Sequence, residues 1–546
     1  MFHKKPQSFT HKAVQKLRSK KQILPVDAPL YHNDHSRPLT RRDFLRQGFM
    51  GGAATVLGGG ALSLFTNPNQ AMAALSSDID ALATDVNCSL GGLTGNAKVP
   101  FICFDLAGGA NFAGSNVLVG GAGGQNDGTI STAGYSKMGI PGDMIPGLDS
   151  TNFSLLNPSI NNDFVNNDLG LQFHADSAML KGILERAGSA VGNIDGCVIP
   201  ARSDNDTGNN PHNPLYGISL AGGKGSVVDL IGSRSSTSGG NSMAPADMIN
   251  PEFRPTKVDR PSDVTGMVDV GELTATLSNP ADVTAVMEAM ARITHKKLKL
   301  GTVNTGLTQD EVVKDLVRCG YLKASDLADR FAGKEVDPSK DLDILDIFSL
   351  VELNNDNEFR KTASVMKMVL NGFSAGGCIS MGGYDYHTGD RSTGENRDLR
   401  AGRCIGACLN YAAKLNKPLM IQVFSDGSLT SNGTPDESPD IGNMLGGRGK
   451  GQWTGDNSSV ACSFFLVFNP AGKPTPLISG RQIGRFSADA SVVTSSSPAA
   501  NNVNLLVNTV LLNYMSLNGD IAQFSSTFNG HGLGSAYAQY AAFGAL

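Results

Sequence analysis

Three clusters of polar residues follow predicted strands and contain side chains that could bind a metal ion. Each cluster comes after a short apolar run: Gly382–His387, Ser425–Ser428 and Ser203–His212. The candidate metal ligands in these clusters are Asp385, His387, Asp426 and His212. Because the carboxyl ends of parallel strands meet at one edge of a sheet, we expect these side chains to converge. Such ligands suit a divalent metal ion such as Zn²⁺ or Mn²⁺, which can polarise a phosphoryl-like oxygen or activate water.

The same residues also have purely structural interpretations. Asp385 and Asp426 could cap turns, where aspartate is favoured. His387 could be a surface residue of its loop. Asp204 and Asp206 resemble part of a calcium-binding loop, but the glycine that follows falls one position early and no glutamate closes the loop. The sequence leaves the structural and the metal-binding interpretations open.

The alternation of strands and helices predicts an α/β fold with a mainly parallel sheet flanked by helices. The predicted strands are Lys98–Leu106, Ile194–Pro200, Gly377–Met381, Pro418–Phe424 and Val460–Phe468. The predicted helices are Leu169–Gly188, Pro280–Lys299, Asp310–Phe331, Asp398–Leu415 and Val503–Leu517. We expect the α/β domain to span residues 74–546, with an irregular loop region over 204–263 and a helical insertion over about 280–370. The high content of Gly, Asn and Ser predicts long, tightly turning loops.

The N-terminal region has the features of a twin-arginine (Tat) signal peptide. Its motif residues are Arg41, Arg42, Phe44 and Leu45. A glycine-rich, weakly apolar run over Gln47–Phe65 follows, and then a small-residue cleavage site that ends at Ala73. We therefore predict a signal peptide over residues 1–73 and a periplasmic or otherwise exported protein. The Tat translocation machinery, which carries folded proteins, is then its first partner.

A retained membrane anchor is the alternative to a cleaved signal. The run over Gln47–Phe65 is close to the length of about 20 residues that spans a bilayer. Its many glycines make it a weak membrane segment, so we expect no permanent span. Removal of residues 1–73, which carry a net charge of +8, changes the net charge of the chain from −5 to −13. A chain this acidic is not expected to bind nucleic acid, because that requires clustered Lys and Arg.

The cysteine content does not decide whether the cysteines form disulfides or remain free thiols. The chain has 8 cysteines, and an even number in an exported protein is compatible with disulfides. Cys103, Cys197, Cys378 and Cys462 lie in apolar runs, where a free cysteine behaves as a small buried hydrophobe. No C-x-x-C pair occurs, which argues against a thiolate metal cluster.

The polar clusters and the segments around them also resemble a family of Tat-exported bacterial proteins that is distantly related to the alkaline phosphatase/sulfatase superfamily. Its motifs occur here in order: Gly108–Asn111 for Gly-Gly-x-Asp, Leu169–His174 for Leu-x-Leu-His, Asn210–His212 for Ser-His-Phe, Gly382–His387 for Gly-Gly-Phe-Asp-Thr-His, and Ser425–Ser428 for the start of Ser-Glu-Phe-Gly-Arg. The similarity covers about residues 98–470. It implies an alkaline-phosphatase-like fold and a divalent metal site with Asp385, His387, Asp426, His212 and Asn111 as ligands.

The chain departs from this family at three metal-site positions. Asn111 replaces an aspartate, the second cluster lacks its arginine, and Gly455–Ser458 lacks the histidine of the late Asp-His-Gly motif. A degenerate metal site favours a non-catalytic binding or assembly role with an envelope partner. The alternative is a metal-dependent hydrolase of phosphate or sulfate esters that acts on a small-molecule ester. A redox function is a third possibility, but no dinucleotide or haem motif supports it.

Overall fold

The computed structural model describes residues 75–88, 98–147, 156–157, 161, 163–203, 210–268, 273–277, 279–300, 309–331 and 334–546. The predicted signal peptide, with Arg41, Arg42, Phe44 and Leu45, lies outside the described residues. Every helix in the described ranges is too short or too polar to cross a membrane.

Helices and short strands alternate along the described chain. The helices are α1 Ser77–Asp85, α2 Thr132–Lys137, α3 Ala178–Ala187, α4 Leu215–Leu220, α5 Pro261–Val268, α6 Leu273–Thr276, α7 Pro280–Lys299, α8 Asp310–Phe331, α9 Leu342–Ile347, α10 Leu350–Asn355, α11 Asn357–Leu370, α12 Ser392–Lys414, α13 Val503–Leu517 and α14 Phe524–Thr527. The strands are β1 Phe101–Leu106, β2 Val165–Asn166, β3 Phe173–His174, β4 Ile194–Pro200, β5 Leu230–Gly232, β6 Thr256–Lys257, β7 Gly376–Met381, β8 Leu419–Phe424, β9 Leu429–Pro435, β10 Gly451–Asp456 and β11 Cys462–Phe468.

The chain divides into two compact units, and this division differs from the single domain expected over residues 74–546. In the described part, the first unit contains residues 75–88 and the segment between Val270 and Ser325, and the second contains the remaining residues. The first unit is helical. A disulfide joins Cys88, just after α1, to Cys319 in α8, and Arg292 of α7 pairs with Asp78 of α1 at 2.5 Å. The unit is therefore assembled from segments far apart in sequence.

Loss of this disulfide is expected to destabilise the first unit. The bridge closes a loop across 231 residues, and removing a native disulfide typically costs about 2–4 kcal/mol. We expect a Cys88→Ser/Cys319→Ser variant to show faster amide hydrogen exchange in α7 than the wild type. Reductant should reproduce this change in the wild type and add nothing in the variant, because the other cysteines in the described ranges are free thiols. Equal exchange in both proteins would contradict the prediction.

The second unit is built on a seven-stranded sheet, which confirms the predicted α/β class. Its strand order is β4-β11-β8-β1-β7-β5-β6. Strand β1 runs parallel to both β7 and β8, and β5 runs parallel to β6 and β7. Strand β11 is antiparallel to both of its neighbours, β4 and β8. The sheet is therefore mostly parallel, with one reversed strand near an edge.

Both faces of the sheet are covered by helices, which explains why its central strands are mostly apolar rather than alternating between apolar and polar residues. Side chains alternate along β1, so Ile102 and Phe104 belong to one hydrophobic core and Phe101 and Cys103 to another. The first core includes apolar residues of α3, α11 and α12. The second includes apolar residues of α4 and α13.

Local helix signals agree with the observed helix ends. Asn279 accepts a hydrogen bond from the Ala281 N–H before α7, and Asn502 accepts one from the Leu505 N–H before α13. Such caps satisfy backbone donors that have no partner inside the helix. Only the second half of the predicted helix Leu169–Gly188 is helical, because Phe173–His174 forms strand β3 with β2.

Two predicted regions differ from the structure. Residues 204–263, predicted as an irregular loop region, contain helix α4 and strands β5 and β6 within their described part. These strands have three and two residues, too few for a hydrophobic period to be recognised. The region predicted as a helical insertion over about 280–370 is helical, but α11 packs its Val365 and Val369 over Gly377 of β7. The last helix of the region therefore belongs to the core of the second unit.

Candidate metal centre

The polar clusters predicted to converge lie at the carboxyl-terminal edge of the parallel strands. The turn after β1 meets the segment after β8, because the Gly108 N–H donates to Asp426 Oδ1 at 2.8 Å. The turn after β1 also meets the loop after β7. Gly108 has a φ of +123°, and a side chain there would overlap the Asp385 backbone nitrogen. A glycine at this position therefore allows the two loops to approach each other closely.

Alternation along the loop after β7 directs its two predicted ligands outward. Tyr384 and Tyr386 are buried, whereas Asp385 is exposed and His387 is partly exposed. The Tyr386 hydroxyl accepts a hydrogen bond from the Asn111 N–H and donates one to Asp398, each at 3.4 Å. The two tyrosines therefore anchor the loop, and the carboxylate and imidazole between and beside them face solvent.

A third side chain, Asp456 at the end of β10, completes the cluster. His387 Nε2 lies 2.8 Å from Asp385 Oδ1 and 3.6 Å from Asp456 Oδ2. One potential ligand atom from each of the three residues lies within 4.8 Å of the others. Two carboxylates and one imidazole form a ligand set that suits Zn²⁺ or Mn²⁺. Three protein ligands also leave coordination positions open to water or to a further ligand.

Buried groups beneath this metal triad (Asp385, His387 and Asp456) hold β10 in place. The Arg391 guanidinium lies 4.2 Å from the ring centre of Trp453, which belongs to β10. Arg391 also donates to Glu395 Oε1 at 2.7 Å, and Lys450 donates to Glu395 Oε2 at 2.6 Å. These three charged side chains are all buried. They connect helix α12 to the strand that carries Asp456.

Asp426 and His212 lie in the buried part of the same edge and do not join the metal triad. Ser203 Oγ donates to the Asp426 backbone carbonyl at 2.7 Å. Because the hydroxyl proton is used there, His212 Nε2, 2.7 Å away, donates to Ser203 Oγ. Burial lowers the pKa of His212 to about 4 although nearby Asp426 opposes this, so the ring is neutral. His212 Nδ1 and Asp426 Oδ2 have no hydrogen-bond partner in the described residues. Each atom is therefore able to accept a hydrogen bond from a water molecule or to bind a cation.

Asn111 forms hydrogen bonds within the protein rather than joining the triad. Its Oδ1 accepts from Ser115 at 2.7 Å, and its Nδ2 donates to the Leu429 carbonyl at 3.0 Å. Ser425 has a similar bracing role, since its hydroxyl accepts from the Gly109 and Ala110 N–H groups. These contacts hold the turn after β1 against the segment after β8.

A buried carboxylate before the turn, Asp105, is not close enough to join the cluster. It accepts hydrogen bonds from the Asn241 and Ser242 N–H groups at 2.6 and 2.7 Å. Burial raises its pKa to about 6, and the nearby charge of Asp426 acts in the same direction. Asp105 therefore fixes the 241–242 segment onto the end of β1.

The structure thus brings together two of the five sequence-predicted ligands, Asp385 and His387, and adds Asp456. The sequence signal for Asp456 was its position in Gly455–Ser458, where the resembled family has its late Asp-His-Gly motif. No protein-family model matches the sequence, and comparison with curated proteins yields no match.

Proposed function

We propose that this chain is an exported envelope protein that binds one divalent metal ion at Asp385, His387 and Asp456 and acts by binding or assembly rather than by catalysis. The observation that carries the proposal is the convergence of these three ligand atoms within 4.8 Å from two separate segments. The resemblance noted in the sequence supports an alkaline-phosphatase-like fold with a degenerate site, and the α/β sheet is compatible with it.

The surroundings of the triad favour binding over catalysis. The side chains of Asp385, Asp456 and His387 are 64%, 47% and 38% exposed. Hydrolytic metal centres usually lie in a cavity that excludes bulk water, where electrostatic interactions are strong. Asn111, a ligand expected for a larger centre, is committed to internal hydrogen bonds. An open site of this kind suits a metal ion that links the protein to a partner or ligand.

Two observations support export. The first is the twin-arginine motif in the sequence. The second is the Cys88–Cys319 disulfide, because disulfides persist in oxidising compartments such as the periplasm and are rare in the cytosol.

Metal binding is tested by isothermal titration of Zn²⁺ and Mn²⁺ into protein stripped with a chelator. We expect one equivalent to bind and His387→Ala to weaken binding by at least about tenfold, because the variant loses the only nitrogen ligand of the triad. Asp390→Asn is the matched control. It alters a carboxylate of the same loop but keeps an oxygen that can accept from the Thr393 N–H, so its affinity should equal that of the wild type. Wild-type protein that binds neither metal would refute the proposal.

The open coordination positions specifically favour a second function, a metal-dependent hydrolase of phosphate or sulfate esters. In that case metal-loaded protein should cleave an aryl phosphate or aryl sulfate, and Asp385→Asn should abolish the activity. Because we propose a binding role, we expect the metal-loaded wild type to show no more turnover than buffer that contains the metal without protein. Multiple turnovers by the loaded wild type would replace the binding role with the hydrolase.

A further inference from the structure

Lys450 is a buried lysine that contacts two carboxylates. Its Nζ lies 3.1 Å from Asp176 Oδ2 and 2.6 Å from Glu395 Oε2. It also donates a hydrogen bond to the Asp176 backbone carbonyl at 2.9 Å. The side chains of Lys450, Asp176 and Glu395 are 2%, 2% and 4% exposed. An amine, a carboxylate that it can attack and a second carboxylate that can carry protons therefore lie together where bulk water is excluded.

These three residues come from distant parts of the chain. Asp176 follows β3, Glu395 belongs to α12, and Lys450 directly precedes β10. Lys450 and Asp176 are 274 residues apart in sequence, so they meet only in the folded protein. Well-oriented groups held in this way react as if at an effective concentration of about 10⁵–10⁸ M. Folding itself therefore sets up a reaction between the amine and the carboxylate.

The charges around Asp176 suit attack at its carboxyl carbon. Burial acts to raise the pKa of Asp176, but the charges of Lys450 and Arg448 outweigh it and hold this pKa below its usual range. Lys450 and Asp176 therefore start as an ion pair. Arg448 Nη2 lies 3.1 Å from Asp176 Oδ1. A fixed cation at this oxygen stabilises the negative charge that it carries when the carboxyl carbon becomes tetrahedral.

We infer that Lys450 and Asp176 join in an intramolecular isopeptide bond, with Glu395 as the proton carrier. Glu395 takes a proton from the Lys450 ammonium, and the free amine attacks Asp176 Cγ. A bond from Cγ to Nζ forms, and the bond from Cγ to Oδ2 breaks. The ammonium loses two protons in all, and both pass through Glu395 to the departing oxygen, which leaves as water. The reaction changes no oxidation state, and Glu395 is unchanged at its end.

The product removes one buried ion pair and leaves the neighbouring charges paired. An ion pair inside a protein carries a large desolvation cost, which a neutral amide avoids. Glu395 keeps Arg391 at 2.7 Å, and Arg448 keeps Asp440 at 2.8 Å. The burial that makes the ion pair costly therefore favours the amide. The new bond ties the start of β10, the strand that ends in Asp456, to the segment before α3.

The test is the mass of the intact protein, measured after reduction and denaturation. We expect the wild type to be lighter than its sequence by the mass of one water molecule. Peptide mapping should locate the loss in a branched peptide that joins Asp176 to Lys450, with no tryptic cleavage after Lys450. Lys450→Arg, which keeps the charge but has no amine to form the bond, should have its full sequence mass. Glu395→Gln should form the bond about 10²–10⁴-fold more slowly, because it cannot carry protons.

Lys367 and Asp341 provide a matched control within the same molecule. Their Nζ and Oδ2 atoms lie 2.6 Å apart, and their side chains are 9% and 12% exposed. The second group at this Asp341 oxygen is the Tyr411 hydroxyl at 2.7 Å, in place of a carboxylate. We therefore expect peptides that contain Lys367 and Asp341 to remain separate.

The wild type alone decides the inference, so a variant that fails to fold does not affect the result. A wild type with its full sequence mass would overturn it, and so would a loss of water that maps to other residues. Bond formation by Glu395→Gln at the wild-type rate would exclude the proposed role of Glu395. The mass measurement requires no metal, so its outcome is independent of the metal titration that tests the proposed function.

Discussion

Replacement of Glu395 with alanine is expected to lower the free energy of unfolding by about 3–5 kcal/mol, because it removes the buried carboxylate that pairs with Arg391. Glu395 accepts hydrogen bonds from Arg391 at 2.7 Å and from Lys450 at 2.6 Å. Arg391 is 1% exposed, Glu395 4% and Lys450 1%, so water cannot replace the lost carboxylate without local opening. Lys450 keeps a second carboxylate, Asp176, at 3.1 Å. The measurement is urea-induced unfolding followed by circular dichroism.

Glu185→Ala is the matched control for Glu395→Ala. It also removes a glutamate from an arginine pair, that with Arg403 at 2.7 Å, but both side chains are about 30% exposed. Exposed pairs contribute about 0–1 kcal/mol, so we expect a correspondingly small loss. If both variants lose less than about 1 kcal/mol, the Arg391–Glu395–Lys450 network is solvated in solution and does not hold β10 in place.

Replacement of Asp398 with asparagine is expected to make the free energy of unfolding less sensitive to rising pH. Burial raises the pKa of Asp398 to about 7, and Glu395 adds to this, whereas the Asn116 hydrogen bond and the Arg391 and Lys450 charges act in the opposite direction. In the unfolded chain an aspartate has a pKa of about 3.9. The folded state therefore holds the Asp398 proton more tightly than the unfolded state does. This contribution to stability is complete below about pH 4 and is lost as the pH rises through 7.

Asparagine resembles protonated aspartate in shape and cannot ionise. We therefore compare the free energies of unfolding of Asp398→Asn and the wild type. The value for the variant minus the value for the wild type should increase between pH 4 and pH 8. The increase is up to about 4 kcal/mol, because the pKa of Asp398 differs by about three units between the folded and unfolded states. The difference between the two proteins isolates Asp398 from the other titrating groups, including buried His174 and His212. Urea unfolding of both proteins at four pH values gives the comparison. A difference that stays constant over this range would show that Asp398 is not the group that loses its proton.

The sequence determined the main strands of the sheet and two residues of the candidate site. Mostly apolar runs such as Ile194–Pro200 and Pro418–Phe424 are typical of strands buried on both faces, and they became β4 and β8. Asp385 and His387 were identified because polar residues directly after such strands must lie at the edge of the sheet. They meet at 2.8 Å. These signals are local, so they can be read without knowing which segments pack together.

Tertiary structure decided which residues meet from distant parts of the chain. Asp456 joins the metal triad because the β9–β10 hairpin returns to the loop after β7, and no spacing in the sequence encodes that return. Asp426 and His212 differ from Asp385 and His387 in burial rather than in residue type. Burial is the physical reason that they bond to the protein instead of facing solvent. The Cys88–Cys319 pair and the two compact units likewise depend on packing between segments, where local propensity carries no information.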